Sequence, residues 1–172
     1  MLKFHNIKEK DTAKPIVSKL VNFSLGKVLL AANIDGLTHL KLNEQSLNLA
    51  SSDEPQRALA DEHIENASVQ LNEYFDGLRN EFDLSLAPHG TDFQMQVWQA
   101  LLKVPFGETA SYSDIAEHIK RPKAVRAVGA ANGANPIAII VPCHRIIGKS
   151  GQLTGYAYGV EIKRTLLQLE GH

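Results

Sequence analysis

Four residues, Ala87-Pro88-His89-Gly90, divide the chain into two stretches of different hydrophobic period. Each stretch has to bury its apolar side in its own way, so the break reads as a domain linker. Before it, apolar runs around Ile16–Phe23, Val28–Ile34 and Leu37–Leu42 are separated by Gly26 and by Asp35-Gly36. Asp-Gly between alternating strands is a strong hairpin signal, so this part reads as a β-meander. Ser51-Ser52-Asp53-Glu54-Pro55 then opens a helix, since proline suits its first turn. Leu59, Ile64, Ala67, Leu71, Phe75 and Leu78 recur at roughly helical spacing, with Gly77 near the end. Phe82-Asp83-Leu84-Ser85-Leu86 alternates like one short strand. Residues 1–88 are therefore expected to form an α/β domain. Its many Asp and Glu residues are scattered and make no catalytic constellation.

Beyond the break the pattern turns helical. Phe93, Val97, Leu101 and Val104 mark one helix face, with Thr91 or Asp92 as the N-cap, and Pro105-Phe106-Gly107 stops it. Ser111-Tyr112-Ser113-Asp114 is a capping signature before Ile115-Ala116-Glu117-His118-Ile119. Pro122 suits the first turn of a further helix, predicted over 123–131. Two short helices joined by a tight turn read either as a helix-turn-helix or as an ordinary packed pair. In the second helix Val125 and Val128 face inward and Arg126 lies elsewhere. Ala124, Ala127, Gly129, Ala130 and Ala131 are small enough to approach another backbone closely. Lys120, Arg121 and Lys123 suit phosphates.

Charge supports that asymmetry. Residues 1–88 hold 9 Lys and Arg against 13 Asp and Glu, a balance of −4, while residues 89–172 hold 9 against 6, a balance of +3. The net charge of −1 alone argues against a nucleic-acid binder, but the second half can meet a polyanion while the whole stays near neutral. The composition, 44% hydrophobic and 22% charged, is that of a soluble globular protein. No apolar run is long enough for a membrane span, and Met1-Leu2-Lys3-Phe4-His5-Asn6 lacks the apolar core of a signal peptide. With one cysteine, no intramolecular disulfide or multi-cysteine zinc site can form. A free thiol suits a reducing compartment, so a cytoplasmic location is expected.

That cysteine stands at the end of an apolar run. Ile137 to Val141 reads as a buried strand because its β-branched residues suit a pleated surface, and Pro142 ends it. Cys143 and His144 follow. A protonated histidine and the start of a helical turn would both lower the thiol pKa towards neutrality. His144 and Arg145 are too polar to continue a buried run without partners. Gly148 to Gly155 is glycine-rich and can form a pocket wall. Without a second cysteine to resolve a disulfide, thiol-oxidoreductase cycling is disfavoured. A cysteine hydrolase stays open, since Cys and His are its nucleophile and base. Adjacent residues on a helical turn do not face one another, so His144 more easily reaches Cys143 through a bridging water.

Pro142-Cys143-His144-Arg145, with Asn135-Pro136 before it and Gly155-Tyr156 after it, resembles the O6-alkylguanine-DNA alkyltransferase family. The resemblance extends over Gly107 to Tyr112, Arg126-Ala127-Val128-Gly129 and Lys163 to Glu170, and covers essentially the whole second half. It implies a small antiparallel sheet with a helix in a ribonuclease-H-like domain (1–88). A mainly α domain with a winged helix-turn-helix follows (89–172). The implied activity is direct transfer of an alkyl group from guanine O6 in double-stranded DNA, and from thymine O4, to Cys143. No cofactor is needed, and the protein is spent after one turnover.

The target nucleotide must leave the stack before it can react. The resemblance gives Arg126 the role of the finger that fills its place, with Lys123, Ala127 and Ala130 also on the DNA. By the same resemblance Tyr112 is expected beside the flipped nucleotide, where it can protonate the leaving guanine. Glu170 is expected to orient His144 in a Glu–His–water–Cys relay, as the family's carboxylate does. Asn135 matches the family's hinge asparagine and is expected to brace the helix pair against the active-site turn. Pro142, Arg145, Ser150, Tyr156, Tyr158 and Lys163 are expected to shape the pocket, with Arg145 held structurally by carbonyls or a carboxylate. Some family members carry zinc in the first domain through cysteines and histidines; this chain has no cysteine there, so no metal is expected. A monomer is expected, and cooperative loading on DNA is left open. The alternative is a non-catalytic protein that binds alkyl lesions and flags them. Such proteins carry another residue where Cys143 stands.

Overall fold

A computed structural model of the chain describes residues 2–5 and 14–172. Met1 and Asn6, part of the stretch read for a signal peptide, lie outside the described residues. The chain divides into two compact units, Met1–His89 and Gly90–His172.

The first unit is a five-stranded sheet under one long helix. Strands β2 (Val17–Phe23), β3 (Gly26–Asn33) and β4 (Gly36–Leu42) form the expected meander, with antiparallel pairing throughout. The turn between β3 and β4 is closed by Asn33, whose Oδ1 accepts from Asp35 N at 3.0 Å and Gly36 N at 3.2 Å. Helix α1 (Glu54–Phe75) starts at the Asp53 N-cap, with a capping box completed by Gln56. It packs on β2, β3 and β4. It returns the chain to β5 (Ser85–Leu86), which pairs parallel with β4 and with β1 (Lys3–Phe4). The sheet order is β1-β5-β4-β3-β2. The sheet is therefore mixed, not antiparallel as expected. A helix between two strands is a crossover, and a crossover delivers its second strand parallel. Gly36 permits the close pairing: a Cβ there would lie 2.4 Å from the Ser85 carbonyl oxygen.

Two further expectations shift. The buried face of α1 is Ala60, Ile64, Ala67, Gln70, Leu71 and Tyr74, while Leu59 is 51% and Leu78 79% exposed. Apolar residues outside the core face misled the spacing. The strand expected over 82–86 pairs only at Ser85–Leu86, although Phe82, Leu84 and Leu86 are all buried.

In the second unit three helices pack together: α2 (Asp92–Leu101), α3 (Tyr112–His118) and α4 (Val125–Gly133). Thr91 with Gln94 and Ser111 with Asp114 form capping boxes on α2 and α3. Helix α4 begins at Val125 rather than at 123, and of its small residues Ala131 is buried while Ala127 and Ala130 are exposed. The indole of Trp98 donates to the Ala131 carbonyl at 2.8 Å, locking α2 to α4. Strand β6 (Ala110–Ser111) pairs parallel with β7 (Ile146–Ile147), and α5 (Val160–Leu169) packs against the 3-10 turn Cys143–Arg145. No described helix is long and apolar enough to cross a membrane.

Candidate active site

The apolar run 137–141 is fully buried, yet it is not the strand expected from its composition. It is a chain of tight turns. Ile140 N–H donates to the Ala138 carbonyl at 2.8 Å across Ile139, whose φ is 70°. That is a γ-turn, a strained conformation for a β-branched residue. Cys143 N–H donates to the Val141 carbonyl at 2.8 Å across Pro142 (φ −81°, ψ 61°), an inverse γ-turn. Asn135 holds the path: its Oδ1 accepts from Ile137 N at 3.0 Å, and its Nδ2 donates to the Val141 carbonyl at 2.8 Å. Periodicity cannot separate a short buried strand from buried turns, and here one amide side chain substitutes for ladder partners.

Cys143 is the first residue of the 3-10 turn and is 4% exposed. The Asn135 amide also lies 3.1 Å from its Sγ. Burial pushes the thiol up, against the hydrogen bonds from Asn135 and Tyr156 and the charge of Lys163. The same burial pushes His144 down, although Glu170 favours its charged form. The expected His⁺–thiolate pair is therefore corrected. At rest the thiol is protonated and the imidazole neutral, because an enclosed site penalises both charges.

Behind the turn lies a buried cluster. His144 Nε2 is 2.8 Å from Glu170 Oε1. Arg145 donates to the same carboxylate through Nε at 2.8 Å and through a second nitrogen at 2.9 Å, and caps the Val104 carbonyl at 2.7 Å. Burial would raise the Glu170 carboxyl, but hydrogen bonds from His144 and Arg145 outweigh it and bring its pKa to about 2. An ionised carboxylate only accepts, so the ring proton sits on Nε2 and Nδ1 is left as an acceptor. Nδ1 is buried with no hydrogen-bond partner among the described residues. Lys163, fully buried, donates to the Ile146 carbonyl at 2.5 Å and the Thr154 carbonyl at 3.1 Å. Burial lowers its pKa, opposed by the Cys143 sulfur when that is ionised.

Over Cys143 opens a small pocket of about 40 Å³. That is room for a few water molecules at about 10–15 Å³ each. Its lining includes Tyr112, Gly129, Asn135, Tyr156 and Tyr158. Tyr112 starts α3, and its hydroxyl accepts from Thr154 Oγ1 at 3.3 Å. Tyr156 and Tyr158 meet edge to face, with ring centroids 5.5 Å apart. Of the glycine-rich segment 148–155 only Gly155 reaches the pocket; Tyr156, Ala157 and Tyr158 make the rest of that wall, and Ser150 is exposed and does not line the pocket. Pro142, Arg145 and Lys163 are buried beside it rather than in its lining. Lys123, Arg126, Ala127 and Ala130 are all exposed. Asn132 escaped the sequence reading. It lies on the inner face of α4, lines the pocket and donates to the Cys143 carbonyl at 3.3 Å. An asparagine one turn after inward-facing Val128 is the signal that could have found it.

The two units also match known families. Residues 16–88 match the ribonuclease-like domain of 6-O-methylguanine DNA methyltransferase, and residues 92–172 match the DNA-binding domain of the same family. The architecture is thus a ribonuclease-like domain followed by a DNA-binding domain that carries the cysteine. A methylated-DNA–protein-cysteine methyltransferase of Methanosarcina acetivorans is 49% identical over 86% of this chain and 93% of that protein. One of Mycobacterium bovis is 50% identical over 88% of this chain and 90% of its own length. The crystal structure of Mycobacterium tuberculosis OGT in complex with DNA superposes with a TM-score of 0.79. Its identity is 48%, covering 89% of this chain and 91% of that one. The chain belongs to the 6-O-methylguanine DNA methyltransferase family.

Proposed function

We propose that the protein repairs DNA by moving the alkyl group of O6-alkylguanine, and of O4-alkylthymine, onto Cys143. The observation that carries this reading is the buried thiol at the pocket, with a carboxylate-oriented imidazole in the next residue. The thiol proton passes through a bridging water to His144 Nδ1. Sγ then attacks the alkyl carbon, the S–C bond forms, and the O6–C bond breaks with its electron pair staying on guanine. Tyr112 returns a proton to the departing base. Glu170 fixes the His144 tautomer, the role a carboxylate takes in a hydrolytic triad. No second thiol can reduce or displace the thioether, so each molecule acts once.

Helices α3 and α4 act as a helix-turn-helix, with the segment around β7 and the following loop as the wing. Small exposed residues on α4, Ala127 and Ala130, suit close approach in the minor groove, and Arg126 suits the place of the flipped nucleotide. Lys123 suits phosphates. The partner is double-stranded DNA, bound by a monomer in the cytoplasm. A lesion-flagging protein without chemistry is not favoured, because Cys143 is present. Intact-protein mass after incubation with an O6-methylguanine duplex tests the reading. The expected result is one added methylene on Cys143 and no second turnover, while Cys143→Ala binds DNA and gains nothing. Repeated turnover with unmodified protein would refute it.

A further inference from the structure

The segment 148–155 lends the pocket only Gly155, yet its path is specific. Gly148 N–H donates to the Gln152 carbonyl at 3.0 Å and closes a turn that brings Thr154 back against it. A Cβ on Gly148 would lie 3.3 Å from Thr154 Cγ2, so the bare backbone there makes room for that methyl. The Thr154 carbonyl accepts from Lys163 Nζ at 3.1 Å, and the same ammonium holds the Ile146 carbonyl in β7. Strand β7 pairs with β6, and Tyr112 follows β6 directly. Thr154 and Tyr112 are thus tied to one strand pair, and their side chains meet: Thr154 Oγ1 donates to the Tyr112 hydroxyl at 3.3 Å. Among the described residues the phenol has no other hydrogen-bond partner. On its other side the ring faces the bare backbone of α4, where a Cβ on Gly129 would lie 3.8 Å away. Thr154 itself is exposed and stands outside the pocket lining.

We infer that Thr154 is a positioning residue for alkyl transfer: its hydroxyl holds the Tyr112 phenol with the proton free for the departing base, and stabilises the phenoxide that is left. This rests on the alkyl-transfer reading and extends it to a residue that touches no substrate. A phenol has one proton to give and lone pairs that accept. With Thr154 donating to a lone pair, the phenolic proton points away from that contact. When the proton leaves with the base, the bond from Thr154 turns from a neutral into a charge-assisted one, roughly twice as strong. A donor already aimed at the atom where charge develops needs no reorganisation during the step. The charges balance. The base departs neutral, with the O6–C electron pair and the Tyr112 proton. The phenoxide and the His144 imidazolium left behind cancel once water carries the imidazolium proton to Tyr112.

The test compares single-turnover transfer from an O6-methylguanine duplex by wild type, Thr154→Val and Thr154→Ser, with DNA affinity measured alongside. Valine keeps the methyl against Gly148 and loses the hydroxyl; serine does the reverse. Thr154→Val is expected to slow the transfer step about tenfold at unchanged DNA affinity, the scale of one hydrogen bond to a charged oxygen. Thr154→Ser is expected to transfer at close to the wild-type rate. Tyr112→Phe removes the group through which Thr154 acts, so adding Thr154→Val to it is expected to slow transfer no further. A wild-type rate in Thr154→Val, or a serine variant as slow as the valine one, would overturn the assignment. So would a loss confined to DNA affinity, or equal slowing by Thr154→Val with and without the phenol. Thr154→Ala, read against Thr154→Ser, serves if the valine variant does not fold. A wild-type rate in Tyr112→Phe, or no transfer by wild type, would overturn the underlying reading and this inference with it.

Discussion

The two units treat their buried polar groups in opposite ways. In the first, they close on one another. Gln70 reaches from α1 like an extra strand, donating to the Asp83 carbonyl at 2.8 Å and accepting from Asp83 N at 2.7 Å. Thr38 donates to the Ala31 carbonyl at 3.0 Å, beside the register shift in the β3–β4 ladder. In the second unit, several buried polar groups are charged or left open. Arg145 and Glu170 pair in the interior, Lys163 is sealed under backbone carbonyls, and His144 Nδ1 and Asn132 Oδ1 face nothing among the described residues. Ile139 sits at positive φ on the same path. Strain and unsatisfied atoms persist only where the surrounding structure over-determines them, and they gather where chemistry is done. Self-satisfied polar groups mark the supporting unit, and poised ones mark the working unit.

The largest expected effect that breaks this contrast is at Glu170. Glu170→Leu leaves the Arg145 guanidinium buried and unpaired, and should destabilise the second unit by about 3–5 kcal/mol. Glu170→Gln keeps an oxygen for His144 but removes the charge that fixes the tautomer, so transfer should slow while DNA binding persists. Denaturant titration and single-turnover rates check the two variants. If Glu170→Leu unfolds at the wild-type midpoint, the carboxylate is not the linchpin of the cluster.

Acid should have the same sign. The Glu170 carboxyl falls from 4.5 to about 2 in the folded protein, so its stabilisation is complete above the unfolded value and is lost as pH drops from about 4.5 to about 2. The shift corresponds to roughly 3 kcal/mol at neutral pH. His144 is also held below its usual value, so the unfolded chain takes up the proton first and stability begins to fall below about pH 6.5. Burial holds His39 of the first unit down to about 4, so that unit loses stability between about pH 6.5 and 4 by the same rule, and the Glu170 contribution is read below pH 4, where the second unit is expected to lose more. Unfolding followed by hydrogen exchange in each unit at pH 4 and about pH 2.5 measures it, and equal losses in both over that range would remove the distinction.

Much of the scaffold was legible in the chain. Capping at Asp53, Thr91 and Ser111, the Asp35-Gly36 turn and the break at 87–90 rest on local chemistry, which sequence carries directly. The site was legible in its residues but not in its geometry. Cys143, Tyr112, Asn135, Tyr156 and Tyr158 do meet in one pocket, and His144, Arg145 and Glu170 in one cluster. What failed was everything set by tertiary partners. The turns of 137–141 depend on the Asn135 side chain, the thiol pKa depends on how completely the turn is covered, and Asn132 has meaning only once Cys143 lies beneath it.

A smaller effect tests the supporting unit. Gln70→Leu keeps the volume on the buried face of α1 but removes both hydrogen bonds to the Asp83 backbone. The expected cost is about 1–3 kcal/mol in the first unit. Transfer per folded molecule should not change, because nothing in that unit is poised. A slowed single-turnover rate in a folded Gln70→Leu protein would mean that the two kinds of polar group are not functionally separate.

The smallest effect concerns the open side of the working unit. Tyr158 lines the pocket over Cys143 and packs edge to face on Tyr156. Its ring occupies volume that a large alkyl substituent needs. Overpacking costs about 1–3 kcal/mol, and a half-buried ring that can swing outward belongs at the lower end. At about 1 kcal/mol that is a roughly fivefold slowing of benzyl transfer. Methyl transfer, which needs little room, should be unaffected. Tyr158→Gly is therefore expected to speed transfer from O6-benzylguanine about fivefold while leaving O6-methylguanine as it was. The opposite result, slower benzyl transfer with methyl transfer intact, would mean that the ring stacks on the substituent and helps it. The open side of the pocket would then be a binding surface rather than a steric limit.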